Sequence, residues 1–349
     1  METEEKGWPE WLLTVDPEMG RLLSTIDRHR EALERSCASG YIYRRLGQVQ
    51  VRQFEELVEK NRGFKAATHG KTVNFETLRK LEMPPAMLRA AVYNIAQRHQ
   101  TVDAYRYCKK VVILKMTEAF SDGLRVGNLF SSFAALRTLL ENLGALSLLA
   151  ETLSAVKLPA DSHDAGMVLD GIVEREFASR VDWMKVAGTD LRQTEDPRTL
   201  RTESTAESQG LAQWLASLGR RLNGAVAAYE VLSEFASPRV GSLWLAYEES
   251  KTMPDRARTM WHRNQMGVGF PRALAQEMAP TILQLFGILN GALGIIGQLD
   301  KEFLELDAKM ARATREETRT WLWMFPELFD KHEDCPCGSG KRVKYCCGA

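Results

Sequence analysis

The feature that most constrains this chain is its last fifteen residues, Cys335-Pro336-Cys337-Gly338-Ser339-Gly340-Lys341-Arg342-Val343-Lys344-Tyr345-Cys346-Cys347-Gly348-Ala349. They hold four of the six cysteines, as Cys-x-Cys, eight intervening residues and Cys-Cys. Two close thiol pairs joined by a short Gly-containing loop suit one tetrahedral ion with Zn–S distances of about 2.3 Å. So short a segment buries no core of its own, and an ordered knuckle would draw its folding free energy from the metal, roughly 10–16 kcal/mol in comparable sites. Four thiolates around a dication leave a local charge of about −2, which Lys341, Arg342 and Lys344 stand ready to offset.

This segment closely resembles the SEC-C motif, Cys-Pro-Cys-Gly-Ser-Gly-Lys, a basic stretch, then Cys-Cys-Gly or Cys-His-Gly. The motif is best known from the tail of the bacterial preprotein translocase ATPase. The resemblance implies one structural zinc held by Cys335, Cys337, Cys346 and Cys347, on a tail that docks a chaperone-like protein or the ribosome. Lys341, Arg342, Lys344 and Tyr345 are then the residues that meet an acidic protein surface or ribosomal RNA. The motif is attached to many unrelated proteins, so it carries metal binding over and leaves the rest of the chain open. His332, three residues before Cys335, is expected to shield the site.

A disulfide reading is disfavoured because Met1-Glu2-Thr3-Glu4-Glu5-Lys6 is charged and no apolar signal region follows. In a reducing compartment this spacing favours metal. Gly338-Ser339-Gly340-Lys341 lacks the upstream Gly and the following Ser/Thr of a phosphate loop. Lys plus Arg and Asp plus Glu each number 46, so the totals show no broad footprint for nucleic acid. Ala279 to Leu299 is the most apolar stretch, but Gln284, Asn290 and Gln298 point to a buried helix rather than a membrane span. The expected location is cytoplasmic.

Apolar spacing is helical nearly throughout. Leu22, Leu23, Ile26 and Leu33 recur on one face, and Val51 to Lys60 continues the style before a polar loop over 61–74. Pro85 suits a first helical turn, opening a helix through Ala96. Tyr105 to Phe120 reads as another helix, ended by Ser121-Asp122-Gly123. Asn128 to Leu153 is apolar on more than one face, as the central helix of a bundle would be. Gly188 to Gly210 reads as an exposed loop. Leu211 to Phe235 resumes as one helix, Val240 to Tyr247 as a short extended segment, and 271–309 as a long helix that Ala311 to Thr320 continues. Trp321, Trp323, Phe325 and Phe329 then anchor the last turn. The expected fold is all-α: a multi-helix bundle over 1–330 with long central helices, an N-terminal helical subdomain within 1–80, and a small zinc knuckle over 331–349. The knuckle is expected to be separable from the bundle.

Inside the apolar central helix stand Arg137 and Glu141, at i,i+4 on one face. Burying a charge without a partner costs several kcal/mol, so such a pair is a structural tie or part of a site. The stretch Ala135 to Glu141, with Tyr229-Glu230-Val231-Leu232-Ser233-Glu234 some ninety residues on, resembles a family of uncharacterised prokaryotic helical proteins. Those proteins carry an Arg-x-x-x-Glu helix and a Tyr-x-x-Leu-Ser-Glu segment ending in His-Pro. The resemblance implies a shared polar cluster of Arg137, Glu141, Tyr229, Glu234 and Ser237. Ser237 stands where that family has His, so no proton-transfer role is carried over.

A second chemistry is RNA cleavage of the HEPN kind, which sets Arg and, after four to six residues, His on one helix. Arg256 to His262 fits this spacing, with a guanidinium for phosphorane charge and an imidazole for proton transfer. Arg62 to His69 fits as well, within an expected loop, and Ala257 replaces the polar residue that usually follows the Arg. No His-Glu-x-x-His, nucleophile elbow or dinucleotide motif occurs. Isolated Cys37 and Cys108 read as ordinary thiols. The sequence favours a zinc-binding helical interaction protein over an enzyme, with a protein or ribosomal partner at the tail; self-association and nucleic-acid contact remain compatible with it.

Overall fold

Long apolar periodicity produces long helices, and here they outrun the sequence boundaries, the longest of them running through Pro280. The computed structural model describes residues 16–38, 40, 85–126, 128–155, 210–236, 247–252, 259–263, 272–337 and 339–349. Among them are α1 (Met19–Cys37), α2 (Pro85–Arg125), α3 (Leu129–Ala155), α4 (Leu211–Arg221), α5 (Ala225–Ala236), β1 (Tyr247–Thr252), β2 (Thr259–Arg263) and α6 (Arg272–Met324). The all-α expectation holds, with one departure: β1 and β2 pair as a two-stranded antiparallel hairpin. The expected helix over 51–60 and the loops over 61–74 and 188–210 lie outside the described residues, as does 240–246 of the expected extended segment.

The chain divides into two units. The described part of the first comprises α1, α2 from Arg106, α3 to Thr152, α4, α5, the hairpin and α6 to Phe303. Its centre is α3, where Leu136, Leu139, Leu140 and Leu143 are fully buried, so the helix is covered on more than one face. Phe120 meets Phe286 edge-on at 5.3 Å between ring centroids, and Phe133 meets Phe235 at 5.0 Å. Asn128 caps α3, accepting a hydrogen bond from the Ser131 N–H at 3.1 Å. Gly144 lets α4 approach closely: a Cβ there would stand 2.7 Å from the Trp214 carbonyl oxygen. The helix expected over 211–235 is broken between α4 and α5 by Gly224, whose φ of +83° side-chain-bearing residues rarely adopt. Ser121-Asp122-Gly123 does not stop α2, which runs on to Arg125.

Peripheral charges tie this unit together. Lys110 meets Asp300 at 2.8 Å, Arg221 grips Glu302 through two hydrogen bonds, and Arg220 pairs with Glu151. The segments Leu129–Ala155 and Pro280–Met324 are long and apolar enough to cross a membrane, and in the first 67% of the apolar window is buried inside the fold.

The described part of the second unit comprises α2 to Tyr105, 153–155, α6 from Leu304, and the segment after α6 to Ala349. Leu306, Met310, Thr314, Thr318, Trp321 and Leu322 form one buried stripe at helical spacing. A 3₁₀ turn over Pro326–Leu328 ends the helical run, and Leu328 and Phe329 are buried beyond it.

Candidate metal centre

The knuckle is built from backbone bonds that fold 331–349 on itself. The Cys335 N–H donates to the Lys341 carbonyl at 2.7 Å, the Val343 N–H to Glu333 at 2.9 Å, and the Lys344 N–H to Lys331 at 3.1 Å. Gly340 takes φ +71° at the turn. Gly348 sits against Val343 so closely that a Cβ would fall 2.6 Å from a Val343 methyl. These constraints bring the two thiol pairs together.

The sulfurs of Cys335, Cys337, Cys346 and Cys347 all lie within 4.8 Å of one another. Cys337 and Cys346 stand 3.4 Å apart, and Cys346 and Cys347 3.8 Å. A regular tetrahedron with Zn–S bonds of about 2.3 Å has sulfur–sulfur edges of about 3.8 Å, so four sulfurs within 4.8 Å need shifts of about 1 Å at most to hold one ion. Cys335 and Cys347 are buried, while Cys337 and Cys346 are half-buried. Ser339 lies 3.1 Å from the Cys346 sulfur, placed to steady it. His332 is exposed and stands outside this ligand group.

Without a cation the thiols must share protons. A hydrogen bond to Cys337 pushes Cys335 up to about 11. Hydrogen bonds from Cys335 and Cys347 hold Cys337 far below the ordinary thiol range, and Cys335 and Cys337 drive Cys347 far above it. The physical content is that one thiolate is solvated by neighbouring S–H donors. Four thiolates this close together need a dication to coexist.

Within its unit the knuckle meets both α6 and α2. The Cys347 sulfur lies 3.6 Å from the Arg315 carbonyl oxygen of α6. Arg89 of α2 pairs with Glu333 at 2.7 Å, donates to the Leu328 carbonyl at 3.4 Å, and stacks 4.8 Å over the Phe329 ring. Sequence reasoning missed Arg89 because nothing local marks a partner 244 positions away. Ser339, by contrast, sits inside the motif and was open to notice.

Of the expected polar cluster, three members meet in the first unit. The Tyr229 hydroxyl accepts hydrogen bonds from Arg137 at 3.1 and 2.9 Å and donates to Glu141 at 2.9 Å. Arg137 and Glu141 also pair directly at 3.4 Å. Burial, opposed by Arg137 and reinforced by Glu141, holds the phenol above its ordinary range. Glu234 is exposed five residues further along α5, about 140° round the helix from Tyr229, and Ser237 lies outside the described residues.

His262 stands on β2 opposite Glu249, not on a helix, and Arg256 lies outside the described residues. Thr259 and Trp261 favour extended backbone, and pairing with β1 settles the choice. The helical Arg–His arrangement of the nuclease reading is therefore not formed at His262. No protein-family model, curated protein or solved structure matches the chain.

Proposed function

We propose that this chain is a cytoplasmic, zinc-binding helical interaction protein whose C-terminal knuckle docks a protein or ribosomal partner. The observation that carries the reading is the set of four sulfurs within 4.8 Å at the end of a helical unit. Zinc is the ion favoured by four thiolates in tetrahedral array, and the likeness to the SEC-C motif points the same way. Cys335, Cys337, Cys346 and Cys347 hold it. Four protein ligands leave no coordination position for water, so the ion's contribution is structural. The knuckle fixes a short basic surface: Lys341, Arg342 and Tyr345 are exposed, and Lys344 lies 4.8 Å over the Tyr345 ring. Rigid presentation lowers the ordering cost of docking.

Metal analysis of the purified chain is expected to give about one zinc per molecule, as a single four-ligand site requires. The Cys346→Ser/Cys347→Ser variant is expected to lose it. Stoichiometric zinc in that variant would sink the assignment. Affinity capture with wild type and with Lys341→Glu/Lys344→Glu tests docking. A partner retained equally by both places the contact elsewhere.

A further inference from the structure

In the second unit, α6 carries Arg312, Arg315, Arg319 and Trp323 at i, i+3, i+7 and i+11, a spacing that lines one side of a helix. All four are exposed, Trp323 to 76%. None of the three guanidiniums has an ion-pair partner among the described residues. Residues 312–323 carry these three arginines against Glu316 and Glu317, a net charge of +1, and Glu316 falls on the same side of the helix as the arginines. A large indole left in water is uncommon and marks a surface that meets something. Beside it, Arg319 and Trp323 of α6, Pro326 of the 3₁₀ turn, and Cys347 and Gly348 of the knuckle line a cavity of about 640 Å³. Two residues before Cys347, Tyr345 offers a second exposed ring.

We propose that this strip and the knuckle form one platform for single-stranded nucleic acid, the phosphates on Arg312, Arg315 and Arg319 and a base stacked on Trp323. The proposal rests on the docking role assigned to the knuckle and names the chemistry of its partner. The arginines succeed one another every 4.5–6 Å, roughly, along the helix, so they follow a repeating anionic chain rather than one charge. An acidic protein surface would answer the guanidiniums but give the indole face nothing to stack on. A nucleotide strand supplies both a charge and a ring at each repeat. Such a surface binds with little regard to sequence, because every base has a π-face.

The test uses the full, zinc-loaded chain and a fluorescein-labelled RNA of about 12 nucleotides, within the span such surfaces cover, read by polarisation over a salt series. Saturable binding is expected, with a log–log salt slope of about −2 for three phosphates on a single strand. Trp323→Ala is expected to weaken binding about tenfold or more, and Trp323→Phe far less. Arg312→Ala/Arg315→Ala/Arg319→Ala is expected to flatten the slope, while the triple Lys variant keeps it. DNA of the same sequence shows whether the sugar matters. The proposal is overturned if zinc-loaded protein ignores both strands, if Trp323→Ala binds as tightly as wild type, or if an acidic peptide is captured and no oligonucleotide. Zinc content, read in the same samples, separates the two ideas. A zinc-free chain that binds RNA ends the metal reading alone; a zinc-loaded chain that does not ends this one alone.

Discussion

Tyr229 shows how one hydroxyl can keep two charges inside a helical unit. It accepts from Arg137 and donates to Glu141, so each charged group has more than one partner. Removing only the hydroxyl leaves the ion pair in place. Tyr229→Phe is therefore expected to cost about 1–2 kcal/mol, measured by chemical denaturation. The same group predicts a pH dependence. Its folded pKa is raised by burial, so its contribution is full below the ordinary value of 10.0 and is lost as pH rises through the higher folded value. The stability gap between wild type and Tyr229→Phe should narrow in that alkaline range. A gap that stays constant would show that the hydroxyl is not protonation-linked to folding.

At the scale of elements, two glycines in long helices should respond in opposite ways. Alanine is normally better than glycine in a helix by about 0.5–1 kcal/mol. Gly287 on α6 has open space around it, so Gly287→Ala is expected to stabilise by about that amount. Gly144 on α3 abuts the Trp214 backbone, so Gly144→Ala is expected to destabilise by about 1–3 kcal/mol despite the better propensity. Paired thermal melts read both signs. The contrast marks what the sequence could disclose. The length and apolarity of α3 and the thiol cluster were legible because their determinants lie within a few residues of each other. Arg137 and Glu141 were legible as a pair through helical spacing, while Tyr229 entered only through likeness to other proteins. Gly144, Gly224 and Arg89 act through residues on other elements or through backbone angles, and composition does not encode either. The β1–β2 hairpin was missed because Tyr247–Thr252 and Thr259–Arg263 lack clean apolar alternation, so pairing rather than pattern forms it.

At the scale of the chain, Arg89 makes a long-range connection within the second unit, joining the start of α2 to Leu328 and Phe329 and to Glu333 of the knuckle. The ion pair is part-exposed and contributes at most about 1 kcal/mol by itself. Its importance lies in what it transmits. A metal that holds 335–347 together also holds Glu333 in place, so metal binding adds to the stability of the unit by mass action. Chelation is expected to lower the melting temperature of the full chain, and Arg89→Met to shrink that chelator-induced drop while leaving zinc content near one. An unchanged drop would show that the helices do not sense the site. If they do, the metal supply sets how long each copy survives. Starved of zinc, the chain should open around Arg319 and Lys331, and trypsin should cut there within minutes where the loaded form resists. The protein's abundance would then follow the free zinc of its surroundings with no dedicated sensor.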